Sequence, residues 1–253
     1  MSKLTENQVK MAFEYSCKLD VFAIKPGNVF LDHQAYGMTH KDFLQSSMAC
    51  SDIICEHNMD IGKKILESVK ASMDVVGCNT NLGIILLCVP IVEAIYMDKQ
   101  HKFDQKNLEI VINSIDSKQT KDIYKAINIA NAGGMSSKQE FDLKKSKSQN
   151  FKLIEAMNYA KSYDFIAYEY TSFFNNIINV LAVNWRNNFN FMENDECATT
   201  ATFLQQISAN PDSLIARKHS LSTAEEVSQR FKEIAVEYCA LKSPNILNNN
   251  CLL

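Results

Sequence analysis

Seven glycines in 253 residues give this chain few places to turn sharply, and four of them stand in three polar clusters: Lys25-Pro26-Gly27-Asn28, Asn79-Thr80-Asn81-Leu82-Gly83 and Asn131-Ala132-Gly133-Gly134. Between the clusters, apolar residues recur at helical spacing and no segment alternates as a strand does. The expected fold is all-α: one compact multi-helix bundle, a single domain over residues 1–253, with a central buried helix. Glycine beside Asn, Thr and Lys marks turns where the backbone can approach a polar ligand closely, and phosphate is the expected ligand.

A hydrophobic fraction of 46% against 22% charged residues is that of an ordinary soluble globular chain. The net charge of -3 argues against a nucleic-acid partner, which needs a basic face to displace counterions. A highly phosphorylated ligand on so acidic a chain calls for a divalent cation, magnesium by default. The eight cysteines show no Cys-x-x-Cys spacing and fall mostly in apolar helical sequence, so they read as reduced core residues. No apolar signal region opens the chain, and the longest apolar run, Leu82 to Met97, is interrupted by Pro90 and Glu93. The expectation is a cytoplasmic protein with no membrane partner.

Thr5 and Gln8 have capping-box spacing ahead of Val9, Phe13 and Cys17, which predicts a first helix to about Val21. A second carries Phe43 to Cys55. A third has Ile61, Ile65, Val69 and Met73 in a stripe opposite Lys63, Lys64 and Glu67. Gly83 to Met97 is apolar on nearly every side and is the expected central helix, bent at Pro90. Asp104 and Thr120 are expected to cap two further helices, the second running to Ala130, and the stretch from Gly134 to Asn150 reads as a loop. Helices are expected again over Phe151 to Tyr163, Phe165 to about Trp185, and about Asp195 to Ala209. Pro211 is expected at the first position of a short helix, and Thr223 with Glu226 as a capping box before Val227, Phe231, Ile234 and Tyr238.

Helix N-termini present unpaired N–H groups and a partial positive charge, so the Asn79 to Gly83 turn is a ready anion site. One of Asn79 and Asn81 can cap the helix while the other faces a ligand; simple capping accounts for the pair equally well. Glu93, the one acid within the apolar run, must be paired, protonated or metal-bound. An ordinary structural pairing with a Lys stands beside the functional reading. Lys25 beside Pro26, Gly27 and Asn28 offers a point charge for phosphate, with Asp32 and His33 close behind, His33 being able to protonate a leaving base; a plain surface loop is the alternative. Arg217 and Lys218 either bind phosphate or complement a helix C-terminus. No Walker-type loop, Gly-x-Gly-x-x-Gly or His-Glu-x-x-His motif is present, which disfavours the standard nucleotide-binding folds.

Taken in order, Lys-Pro-Gly-Asn (25–28), Asp-Phe-Leu-x-Ser (42–46), Asn-Thr-Asn-Leu-Gly-Ile (79–84), Asn-Ala-Gly-Gly (131–134) and Pro-Asp-Ser-Leu-Ile-Ala-Arg-Lys (211–218) make the chain resemble the triphosphoribosyl-dephospho-CoA synthase family over nearly its whole length, closest to its archaeal and methylotroph-like subgroup. The resemblance implies an all-helical transferase that moves the triphosphoribosyl group of ATP to a ribose hydroxyl of 3′-dephospho-CoA, or a related nucleotide-like acceptor, and releases adenine. Chemically it implies substitution at the anomeric carbon through an oxocarbenium-like transition state. That chemistry needs a triphosphate clamp, help for the departing base and a carboxylate. The clamp candidates are Lys25, Gly27, Asn28, Asn79, Thr80, Asn81, Gly83, Asn131, Gly133, Gly134, Arg217 and Lys218. Asp32, His33 and Glu93 are the acid–base candidates, and Glu56 and Glu93 the candidates for Mg2+.

The family carries a further C-terminal helix after an Asn-Pro-Gly-Thr-Thr-Ala-Asp-like segment, whereas this sequence stops at Asn248-Asn249-Asn250-Cys251-Leu252-Leu253. A homodimer whose neighbouring subunit completes the site is one expectation. Two other readings stand beside the leading one: phosphoribosyl transfer in the biosynthesis of a pterin-like one-carbon cofactor, and a homologue that binds a nucleotide without turnover.

Overall fold

The computed structural model describes residues 3–35, 37–130 and 151–241, and among them every regular element is helical, apart from two isolated bridges, Phe30 with His33 and Ala35 with Met38. In chain order the helices are α1 (Glu6–Phe22), α2 (His40–Ile54), α3 (Ile61–Val76), α4 (Leu82–Met97), α5 (Gln105–Ser114), α6 (Ser117–Ile129), α7 (Leu153–Ala160) and α8 (Phe165–Thr171). A π-turn (Ile177–Leu181) then leads into α9 (Ala182–Met192), followed by α10 (Asp195–Ala209), α11 (Ser213–Lys218) and α12 (Leu221–Leu241). The chain gathers into two compact units, Met1–Cys17 with Lys41–Phe173, and Lys18–His40 with Phe174–Leu253. It passes from one unit to the other inside α1, at the start of α2 and at Phe173, so no boundary shows as a linker in sequence. The cluster at 131–134 and the expected loop after it lie outside the described residues.

In the first unit the capping box closes as expected: the Thr5 N–H donates to Gln8 Oε1 at 2.9 Å and the Gln8 N–H to Thr5 Oγ1 at 3.2 Å. Asp60 caps α3 by accepting from the Lys63 N–H, and Gly77, at φ 70°, ends it with its N–H on the Met73 carbonyl. Ile61, Ile65 and Val69 are buried, as the stripe requires, but Lys64 is buried too rather than on the polar face. The reason is that α3 has neighbours on two sides, α4 and α6. At Gly62 the crossing with α6 is so close that a Cβ would fall 2.5 Å from the Gln119 Cα and carbonyl oxygen. α6 starts earlier than expected: Asp116 is its cap, accepting from the Gln119 N–H, and Thr120 lies inside the helix.

α4 buries Leu82, Ile85, Leu86, Val89 and Val92, packing on α3, α5 and α8, which matches the central helix expected. Pro90 lies within it. Proline has no N–H, so the Leu86 carbonyl one turn earlier loses its helical donor. The fully buried Tyr170 of α8 supplies a replacement, its hydroxyl donating to the Leu86 carbonyl at 2.6 Å.

The expected helix from Phe165 to Trp185 is interrupted. Phe173 and Phe174 take left-handed backbone, φ 51° and 58°, at a cost on the order of 1–3 kcal/mol each, which burial of the Phe174 ring helps to offset. In the second unit α10 matches its expected bounds. α11 is capped by Asp212, which accepts from the Leu214 and Ile215 N–H groups, so Pro211 precedes the cap instead of occupying the first helical position. Ser220, accepting from the Thr223 N–H at 3.0 Å, caps α12, and Thr223 sits one turn in. Ala201 and Leu204 of α10 pack on Ile234, Ala235 and Tyr238 of α12, with the Phe203 and Phe231 rings edge to face.

Candidate functional site

The Asn79–Gly83 turn is built onto α2 by one hydroxyl. Ser46 Oγ donates to the Phe43 carbonyl and accepts from Thr80 Oγ1 at 2.7 Å and from Asn81 Nδ2 at 2.6 Å. Asn81 Nδ2 also donates to the Phe43 carbonyl at 3.2 Å, and Ser72 of α3 donates to the Ser46 carbonyl. Asn81 is 2% exposed and its Oδ1 has no hydrogen-bond donor. The division of labour between the two asparagines is thus clear: Asn79 Oδ1 accepts from the Leu82 N–H at 3.4 Å, whereas the Asn81 side chain makes no cap bond and pins the turn to α2.

The first intrahelical bond of α4 runs from the Ile85 N–H to the Asn81 carbonyl. With the Leu82 N–H taken by Asn79, the Gly83 and Ile84 N–H groups are the ones left at the helix N-terminus, where the helix dipole favours negative charge. A Cβ at Gly83 would meet only the Ile166 side chain, at 3.6 Å, so packing does not demand glycine there.

Lys25, Pro26, Gly27 and Asn28, in the second unit, form a tight turn. The Asn28 N–H donates to the Lys25 carbonyl at 3.0 Å and Gly27 has φ 84°, the pattern of a type II turn with Pro and Gly in its central positions. Lys25 is no surface side chain: it is buried, ion-paired with Asp20, and its ammonium stands 5.9 Å from the Phe203 ring centre. His33 stacks on Phe30 and its Nδ1 is 3.1 Å from the Asn28 carbonyl; both His33 and Asp32 are exposed. The structure therefore gathers Lys25, Gly27, Asn28 and His33 into one local assembly and Thr80 and Asn81 into another.

Glu93 is ion-paired with the fully buried Lys64, which gives that carboxylate the structural partner weighed for it from sequence. Glu56 is exposed and accepts from the Asn58 N–H. Among the described residues no group of three or more His, Cys, Asp or Glu side chains is arranged to hold a metal ion. Lys218 is exposed on α11; the Arg217 side chain and residues 131–134 lie outside what is described. Sequence reasoning missed the hub role of Ser46, although the Asp42 to Ser46 motif contained it, and missed Lys64, whose burial needed the α3 neighbours to be known.

None of the seven described cysteines is in a disulfide. Desolvation pushes the Cys50 thiol up to about 11 and the Cys88 thiol up to about 12, so neither is poised as a nucleophile. No helix among the described residues is long and apolar enough to cross a membrane.

The chain is similar in fold to a crystal structure from Archaeoglobus fulgidus described as a candidate triphosphoribosyl-dephospho-CoA synthase, with a TM-score of 0.58 and 18% identity over 82% of this chain and 89% of that one. None of the curated proteins matches it. The model of the CitG family, ATP:dephospho-CoA triphosphoribosyl transferase, matches residues 6–246. A match of that extent takes in both compact units and every described helix, and it makes this chain a member of the CitG family of ATP:dephospho-CoA triphosphoribosyl transferases.

Proposed function

We propose that the protein transfers the triphosphoribosyl group of ATP to 3′-dephospho-CoA with release of adenine, and that the turn from Asn79 to Gly83 binds the triphosphate. The observation that carries the second part is the pair of unclaimed N–H groups, Gly83 and Ile84, at the mouth of a buried helix whose entry is fixed by Ser46, Thr80 and Asn81. A pre-fixed turn loses little freedom on binding, so its donors act without reorganisation.

In this reaction the C1′–N9 bond of ATP breaks, a C1′–O bond forms to the acceptor hydroxyl, and adenine leaves with a proton. Positive charge develops on the ribose in between, and a nearby carboxylate stabilises it. Glu93 is engaged by Lys64, whereas in the second unit Asp32 has an exposed carboxylate and the His33 imidazole stands with its Nδ1 3.1 Å from the Asn28 carbonyl. Magnesium binds through one or two carboxylates and substrate phosphates rather than through an all-protein cage, so the donor set present fits an ion that arrives on the triphosphate. The same reading places the protein in the cytoplasm, where free thiols persist.

Incubation with ATP, Mg2+ and dephospho-CoA, followed by chromatography for free adenine, tests the reaction. Asn81→Ala and Thr80→Val should lower adenine release at least tenfold and raise KM for ATP. Turnover unchanged in both variants would remove the turn from the site. ATP binding without adenine, with dephospho-CoA and other nucleotide-like acceptors supplied, would overturn the reaction itself.

A further inference from the structure

The π-turn and α9 of the second unit are rich in apolar side chains, yet Asn188 is the one buried residue of the two elements. α9 packs on α10, where the Trp185 Nε1–H donates to Thr199 Oγ1 at 2.9 Å and the Asn188 amide donates to Thr202 Oγ1 at 3.0 Å. At 3.6 residues per turn, the face of α9 turned away from α10 carries Val183, Asn187 and Asn190, with Asn184 and Phe191 beside them. Val183 and Phe191 are 42% and 53% exposed, and Asn187 and Asn190 are exposed as well.

The composition of this stretch is that of an interface. Between Thr171 and Met192 there is no Lys, Asp or Glu, and Arg186 alone is charged, in a chain with 22% charged residues. The solvent face of a helix normally carries charge, whereas the centres of protein interfaces are enriched in aromatic residues, Met and Arg and depleted of Lys, Glu and Asp.

The order of the residues identifies what covers the face. Val183-Asn184-Trp185-Arg186-Asn187-Asn188-Phe189-Asn190-Phe191 is nearly palindromic in chemical class about Asn187: Val183 answers Phe191, Asn184 answers Asn190 and Trp185 answers Phe189. In a two-fold pair of antiparallel helices, residues equally far to either side of the axis lie opposite one another. Centred on Asn187, Val183 of each copy meets Phe191 of the other, a small side chain against a large one. Asn184 meets Asn190, and Asn187 meets itself. A carboxamide both donates and accepts, so each Asn is complementary to its counterpart without any charge. A parallel pair would instead set Arg186 against Arg186 and Phe191 against Phe191, and would align the two helix dipoles.

We propose that α9 is the contact of a two-fold homodimer, packed antiparallel about Asn187. A stable interface takes about 20–30 residues a side, whereas the π-turn and α9 have 5 and 11 residues, of which one face is in contact. The dimer is therefore a weak one, formed at micromolar concentration.

Sedimentation velocity of the full chain across the micromolar range tests this, and the dimer fraction should rise with concentration. Asn187→Lys, which sets two like charges at the axis, should weaken association at least tenfold. Val183→Glu and Phe191→Lys should each weaken it as much alone. An equimolar mixture of those two variants should associate at least tenfold more tightly than either, because the introduced carboxylate and ammonium then face each other only in the antiparallel register. All three positions are exposed, so thermal melts of the variants should match that of the unaltered chain. A chain that stays monomeric throughout, undiminished association of Asn187→Lys, or a mixture no tighter than its components would each overturn the proposal.

Discussion

Tyr170→Phe removes one oxygen atom from the core of the first unit, and the effect can be worked from the geometry around Pro90. The hydroxyl donates to the Leu86 carbonyl at 2.6 Å in a fully buried setting. Pro90 cannot supply the usual N–H to that carbonyl, so the variant leaves it with neither a helical nor a side-chain donor. A buried carbonyl in that state costs about 1–3 kcal/mol, which for a chain of this size lowers the melting temperature by roughly 2–4 °C per kcal/mol. The discriminating experiment is the same substitution in a Pro90→Ala background. There the introduced alanine supplies the missing N–H, and the cost of Tyr170→Phe should fall below about 1 kcal/mol, the ordinary net value of a single hydrogen bond. Urea unfolding followed by helical circular dichroism on all four proteins yields the coupling, expected at about 1 kcal/mol or more. An identical cost in the two backgrounds would refute the idea that Tyr170 is there to repair the helix at Pro90.

Gly62→Ala should destabilise the first unit by about 1–3 kcal/mol, because its Cβ would overlap Gln119 backbone at 2.5 Å and neither helix can give at a flexible side-chain end; a thermal melt equal to that of the unaltered chain would contradict the close crossing. The Lys64–Glu93 pair should respond asymmetrically. Glu93→Gln strands a fully buried ammonium and should cost about 3–5 kcal/mol, whereas Lys64→Met leaves a carboxylate whose side chain is 26% exposed and should cost less; denaturant titration giving the reverse order would show that the burial difference is not what matters. Cys50, with its thiol pushed up to about 11 by burial, should react with iodoacetamide at pH 9 on the order of 100-fold more slowly than a free thiol with the ordinary value. Because the folded chain holds that proton where the unfolded chain releases it, the thiol contributes stability below pH 9 that is lost as pH rises towards 11. A native Cys50 alkylated at the rate of the denatured protein would refute its burial.

What could be read from the sequence was whatever local chemistry decides. The Thr5–Gln8 box, the Asp104 cap, the bounds of α10 and the burial of α4 follow from residues within one or two turns of each other, and the structure agrees with each. Spacing alone misplaced three helix starts: Asp116 rather than Thr120 and Ser220 rather than Thr223 are the caps, and Asp212 caps α11 with Pro211 ahead of it rather than at the first helical position, each cap offering a side-chain oxygen to the first free N–H groups of its helix. The break at Phe173 and Phe174 had no signal, since neither glycine nor proline marks it and the left-handed backbone is held by tertiary burial.

The candidate site divides along the same line. Asn79 and Asn81 were legible as a cap and a non-cap, but which was which depended on Ser46, thirty-five positions before Asn81 in sequence and 2.6 Å away in space. Lys25 and Glu93 were legible as charges that needed an account, and both turned out to have an opposite charge against them, Asp20 one turn back in α1's C-terminal stretch and Lys64 on the neighbouring helix. A charged residue in an apolar or glycine-rich setting therefore identifies a place where the chain must solve an electrostatic problem, not the means by which it does so. By the same logic the groups most informative about binding are those the chain itself leaves unmet, the Gly83 and Ile84 N–H groups at the entry of α4.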